Sequence, residues 1–148
     1  EQLRRTPERI PDFIEETLRF ESPIRGDFRL ARATKTVGDV EIAAGTTVMV
    51  HYGAANRDPR QFENPDTFDL DRHNARRHLA FGRGVHSCIG APLARAEAKA
   101  VVARILLNTS AIDIDTNGHG EVDGRRFDYV PTYILRGLTD LHLVVTPS

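Results

Sequence analysis

The chain has 148 residues, one cysteine, no tryptophan and a formal net charge of −1. A single cysteine excludes an internal disulfide and a zinc site built on several thiolates, and a charge near zero argues against bulk nucleic-acid affinity. No run approaches the ~18 apolar residues of a membrane span, and EQLRRTPERI at the start has no apolar signal-peptide core. The expectation is a cytoplasmic protein with no membrane and no nucleic-acid partner, and the length suits one domain or a piece of a larger one.

Ile10, Phe13, Ile14, Thr17 and Leu18 recur at a spacing that makes one apolar helix face. Pro11 suits a first turn and Pro23 a stop, so the spacing predicts a helix over roughly 11–20. FRLARAT (28–34) alternates loosely, Val37-Gly38-Asp39-Val40 reads as a hairpin turn, Ala44-Gly45 as a second turn, and TTVMVHY (46–52) as a β-rich run. Together they predict a small antiparallel sheet. From 56 to 80 the chain is rich in Asp, Asn, Pro and Arg with no clear period. Phe62 and Phe68 mark that stretch as packed rather than disordered. Residues 91–108 read as a helix apolar nearly all round, the pattern of a buried helix. A turn-rich stretch from Asp115 to Arg126 lies between strands, and LHLVV (141–145) ends the chain as a strand. The fold class is α+β.

Cys88 sits between Gly82, Gly84 and Gly90, just before the apolar helix. Three glycines so close imply positive φ or a backbone approached by something flat and bulky. A helix N-terminus favours a thiolate, and a lone thiolate without a second ligand cysteine suits one axial bond to a haem iron. His86 could donate to an anionic group at a cofactor edge, and Phe81 could shield the sulfur from water. Two other readings exist on these residues alone: a small buried cysteine beside a turn, or a Cys–His nucleophile pair.

The whole string FGRGVHSCIG resembles the haem-binding signature of the cytochrome P-450 family, the haem-thiolate monooxygenases. Phe81, Gly84, His86, Cys88 and Gly90 fill every specified position of Phe-x-x-Gly-x-(Arg/His)-x-Cys-x-Gly. Glu16-Thr17-Leu18-Arg19 matches the family's Glu-x-x-Arg motif. Asn56-Arg57-Asp58-Pro59 and Phe68 to Arg72 look like its meander, Leu93-Ala94-Arg95 follows the cysteine as in bacterial members, and Arg136-Gly137-Leu138 resembles its C-terminal hairpin.

That resemblance implies the C-terminal portion of the mainly α cytochrome P-450 fold, with haem b as cofactor. Cys88 is the proximal thiolate and iron ligand, with Ile89 and Gly90 as N–H donors toward the sulfur. Arg29 and His86 meet the haem propionates, while Phe81, Gly82 and Ala94 also contact the haem. Glu16, Arg19 and Arg72 form a buried structural network, with Arg57 as a competing third member. Ile24, Phe28 and Ile134 are candidates for a substrate-pocket wall, and the polar Arg25 and Asp27 nearby either face away or meet a polar substrate. Arg72, Arg76, Arg77 and Arg83, with His73 and His78, occupy a stretch without acids from 72 to 83, where an acidic ferredoxin could dock.

Residues 1–148 are expected to be one part of a single haem-thiolate domain, whose N-terminal part would carry the central oxygen-activating helix; no Ala-Gly-x-x-Thr string occurs here. The parent would insert one oxygen atom of O2 into a small organic substrate, with electrons from NAD(P)H through a ferredoxin reductase and a ferredoxin, and these 148 residues alone would be inactive. The alternatives are a truncated haem-free relative serving as a binding module or remnant, and a thiol redox sensor at Cys88.

Overall fold

The computed structural model describes residues 1–148. A short helix α1 (Gln2–Arg5) precedes α2 (Ile10–Glu21). The stripe expected on α2 is buried at Ile10 and Ile14, and three charged residues, Glu15, Glu16 and Arg19, are buried with it. The helix ends at Ser22, whose φ of 43° is left-handed. That conformation is unfavourable for a residue with a Cβ, and here hydrogen bonds hold it. Ser22 N–H donates to the Leu18 carbonyl at 3.1 Å, and Asn56 Nδ2 donates to Ser22 Oγ at 2.8 Å.

Four short strands follow: β1 (Asp27–Leu30), β2 (Lys35–Val37), β3 (Val40–Ile42) and β4 (Thr47–Val50). The expected single sheet is instead two separate antiparallel ladders. β1 pairs with β4, placing Phe28 opposite Met49, and β2 pairs with β3. Between the β2 and β3 strands Gly38 has φ +60° and Asp39 does not, as a type II′ hairpin turn requires. The run 28–34 stops being a strand at Leu30, where the chain leaves the β1–β4 ladder for the hairpin. The run 46–52 stops at Val50, because His51 Nδ1 accepts the Ala54 N–H at 2.9 Å and caps a short helix α3 (Tyr52–Ala55).

Residues 56–80 contain turns and one 3₁₀ turn (Ala75–Arg77) but no strand. They are packed: Phe62 and Asn56 are buried. Phe68 packs tilted against Phe13 and edge-to-face against Phe20 of α2, with ring centroids 5.7 and 5.8 Å apart.

Helix α4 (Ala91–Asn108) starts with Pro92 in its first turn and runs into β5 (Thr109–Ile114). After α5 (Thr116–His119), β6 (Leu143–Pro147) returns antiparallel to β5, two residues later than the sequence suggested. The shift follows from the ladder's end, where Ile114 faces Leu143 and the Asp115 N–H bonds the His142 carbonyl at 3.0 Å.

The expectation of a buried α4 is not met within these residues. Only Ala91 is buried, while Leu93 is 63% and Leu107 66% exposed. A helix apolar on all sides needs a neighbour on each. The chain supplies α2 along one side and β5 at the end. No helix is long and apolar enough to cross a membrane.

Candidate functional site

The cysteine loop is an arch closed by its own backbone. Cys88 N–H donates to the Phe81 carbonyl at 2.9 Å, and Ser87 N–H to the Gly84 carbonyl at 3.0 Å. Gly82 and Gly84 have φ of +67° and +81°, values an ordinary side chain resists. At Gly84 a Cβ would meet no neighbouring atom, so the requirement there is conformational. Gly90 differs: a Cβ there would lie 3.7 Å from Cys88 Sγ. The thiol itself is exposed at the loop surface.

Beside the loop lies an open cavity of about 630 Å³. Cys88, His86, Gly82 and Phe81 enter it from the loop, and Arg29 from β1. Ile24 and Ile134 enter from two segments joined by an antiparallel bridge at Ile24 and Leu135, next to which Arg25 N–H donates to the Ile134 carbonyl at 2.6 Å. Seven of the residues singled out in the sequence thus converge on one space.

Four others do not line it. Phe28 lies between Asp27 and Arg29, which do, and strand alternation turns its side chain to the opposite face. Ile89 is 100% exposed, Gly90 stands behind the sulfur, and Ala94 lies inside α4 with its N–H on the Gly90 carbonyl. No hydrogen bond from the Ile89 or Gly90 N–H to the sulfur forms in this chain.

Sequence reasoning missed Tyr52, which it assigned to the end of a strand, and left the direction of Asp27 open. Both line the cavity. Asp27 forms an ion pair with Arg29. Its hydrogen bond from the guanidinium holds the Asp27 carboxyl below the usual carboxylate range. Asp27 and the Phe28 carbonyl both engage Arg29 Nη1. The guanidinium also meets the Tyr52 hydroxyl, and its planar fork can reach a further carboxylate.

Outside the cavity lining, Glu16, Arg19 and Arg72 meet. Arg19 donates to Glu16 through Nε at 2.7 Å and Nη2 at 2.8 Å, and Arg72 Nε donates to Glu16 Oε1 at 3.1 Å. The arginines also tie down meander carbonyls: Arg19 those of Asn56, Pro65 and Thr67, Arg72 those of Glu63, Asn64 and Thr67. Burial by itself would push the Glu16 carboxyl up. The Arg19, Asp69 N–H and Arg72 hydrogen bonds outweigh it and hold the group below its usual range. Arg57, the competing third member, stands outside: it pairs with Asp66 and the Phe20 carbonyl, each at 2.8 Å.

A second charge cluster, buried at Glu15 and His78 and joined by the partly exposed Arg95, was not found from sequence. Glu15 accepts from Arg95 Nε at 2.5 Å, Arg95 Nη2 at 3.0 Å and His78 Nε2 at 3.1 Å. Its partners lie 63 and 80 residues away, so no local spacing could have shown it. The basic stretch is smaller than expected for the same reason. Arg72 is committed to Glu16 and His78 to Glu15, while His73, Arg76, Arg77 and Arg83 remain exposed.

A haem needs a broad slot, an axial donor and cations for its propionates. The cavity offers the slot, Cys88 the donor, and Arg29 and His86 the hydrogen-bond donors at its edge, so these residues fit the group. Asp27 is the one group of the wrong sign there.

The model of the family described as Cytochrome P-450 matches residues 10–117. Cytochrome P-450 144 of Mycobacterium tuberculosis is 41% identical over 145 residues, 98% of this chain and 31% of that protein. The beta-dihydromenaquinone-9 omega-hydroxylase of the same species is 43% identical over 145 residues, 98% of this chain and 28% of its own length. Among solved structures, substrate-free CYP150A6 of Mycobacterium marinum superposes with a TM-score of 0.97 at 57% identity, covering 99% of this chain and 36% of that one. P-450BioI, solved with a hexadec-9Z-enoic acid-ligated acyl carrier protein, superposes at 0.86 with 35% identity, covering 97% and 35%. The chain therefore spans about a third of the length of the relatives it matches. A family match over most of the chain, joined to the convergence of the signature loop on one cavity, means that this chain belongs to the cytochrome P-450 family.

Proposed function

We propose that the 148 residues are the C-terminal, proximal portion of a bacterial haem-thiolate monooxygenase, with Cys88 as the ligand of the haem iron. The observation that carries this is the meeting of Cys88, His86 and Arg29 in one cavity, from the cysteine loop and from a distant strand. Haem bound there supplies activation of O2, with one oxygen atom going to an organic substrate and the other leaving as water.

The chain's own residues have four tasks. Cys88 gives a thiolate, and the arch from Phe81 to Cys88 fixes where it stands. Arg29 and His86 would hold the carboxylates of the cofactor. Ile24 and Ile134 offer an apolar wall to the substrate. The Glu16 network holds α2 and the meander together. Electrons come from NAD(P)H through a ferredoxin reductase and a ferredoxin, which docks near the exposed Arg76, Arg77 and Arg83. The compartment proposed is the cytoplasm.

The match of the chain to about a third of its relatives' length, and a cavity open to solvent, support a division of labour. These residues hold the proximal side, and the remaining part of the fold completes the distal side and the substrate pocket. The test is a spectroscopic comparison: haem is added to the 148-residue chain alone and to a complete domain containing it, and each is reduced under CO. The red-shifted band of thiolate ligation is expected from the complete domain only. A stable band and turnover from the chain alone overturn the division of labour. A complete domain that takes up no haem identifies the alternative, a haem-free binding module.

A further inference from the structure

The Glu15 cluster touches the cysteine loop without touching the cavity. Glu15, His78 and Arg95 are absent from the cavity lining. Glu15 is 4% exposed and accepts from charged and neutral donors: Nε and Nη2 of Arg95 and Nε2 of His78. The tautomer of His78 is fixed from its other side. Ala80 N–H donates to His78 Nδ1 at 3.1 Å, so Nδ1 is the acceptor and Nε2 bears the hydrogen. The ring is therefore neutral, in keeping with its burial.

From this cluster a continuous set of contacts leads to the sulfur. The Arg95 guanidinium lies over the Phe81 ring, 4.6 Å from its centroid, and the His78 ring lies 6.1 Å from the same ring. Phe81 lines the cavity, and its carbonyl accepts the Cys88 N–H. Three separate segments are thereby pinned at one point: α2 by Glu15, the start of the loop by His78, and the first turns of α4 by Arg95. The neighbouring Glu16 turns to the meander instead. Consecutive residues on α2 thus serve two different supports.

We infer that Glu15, His78 and Arg95 are positioning residues for the cysteine loop, acting on Cys88 through the Phe81 ring. The geometry of the inference needs no haem; its meaning for catalysis rests on Cys88 being the iron ligand. A planar guanidinium can hold Glu15 with two donors and stack on an aromatic face at once, which an ammonium cannot do. A plain structural salt bridge requires only the first of these.

The experiment measures amide exchange at Cys88, whose N–H bonds the Phe81 carbonyl, in the 148-residue chain without haem. The Ser22 amide, bonded to Leu18 at the end of α2, serves as the internal reference. Arg95→Lys keeps the charge beside Glu15 and loses the stack. It is expected to speed exchange at Cys88 by about tenfold while Ser22 is unchanged. Phe81→Leu, which disturbs no buried charge, is expected to do the same, Phe81→Tyr to restore protection, and the double variant Arg95→Lys with Phe81→Leu to add nothing further. Unchanged exchange at Cys88 in both single variants overturns the inference, as does strict additivity in the double variant. Absence of haem uptake by a complete domain containing these residues contradicts the monooxygenase reading and leaves these exchange results standing, so the two failures are distinguishable.

Discussion

Glu16 and Arg19, one turn apart on α2, are both wholly buried and face each other through two hydrogen bonds of 2.7 and 2.8 Å. Such a pair is a poor source of net stability, because two charges have lost their water. Breaking it is another matter, since the survivor stays buried without its counter-charge. Glu16→Gln should therefore destabilise the fold by about 3–5 kcal/mol. Urea denaturation followed by circular dichroism measures this. Arg57→Gln, at the half-exposed pair with Asp66, should show a clearly smaller loss.

The His78–Glu15 contact gives stability a pH dependence with a definite sign. Burial depresses the His78 pKa in the folded state, against the pull of Glu15, with Arg95 adding repulsion. Glu15 is depressed too: burial opposes this, but Arg95 and His78 outweigh it. For both groups the unfolded chain binds protons more readily than the folded one. Stability is then fully present above the unfolded histidine value of about 6.5 and is lost as pH falls below it, with the carboxylate loss following at lower pH. Urea midpoints between about pH 5 and 8 should fall with acid in the natural chain. In His78→Gln the first part of that slope should vanish.

Arg29 and Asp27 should act in opposite directions on haem retention. Arg29→Leu removes a fork of donors from the cavity edge, and haem affinity in a complete domain should drop roughly tenfold, with Arg29→Lys between the two. Asp27→Asn removes the one anion from that edge, so retention should rise. Haem transfer to an acceptor protein, followed by absorbance, reads both.

The exposed apolar side of α4 has a direct consequence for the chain in solution. With Leu93, Val101 and Leu107 all more than half exposed, the 148-residue chain should self-associate as concentration rises. Sedimentation velocity should show a larger species that Val101→Lys with Leu107→Lys returns to monomer. A monomeric natural chain at all concentrations contradicts this.

The sequence made the cysteine loop readable because its glycines and its cysteine have fixed mutual positions and a chemical reason for them. It made the Glu16–Arg19 pair readable because both sit on one helical turn. Arg29 was placed at the site by the family resemblance alone; strand alternation carries it into the cavity and sends Phe28 to the other face, in a register set by pairing with β4. Tyr52 was missed because His51 caps a helix where β-propensity suggests a strand. Glu15 was missed because its partners come from far along the chain. The apolar pattern of α4 implies burial on all sides, and within these residues only Ala91 is buried, because α2 and β5 cover only part of the helix.

The most direct measurement is the ferrous–CO spectrum of the haem-loaded domain that contains these residues, with and without Cys88→Ser. The natural sequence should give the red-shifted Soret band of a thiolate ligand, and Cys88→Ser should abolish it while the far-ultraviolet circular dichroism is unchanged. A band that survives the substitution, or one that never forms in the natural sequence, contradicts the assignment of Cys88 as the iron ligand.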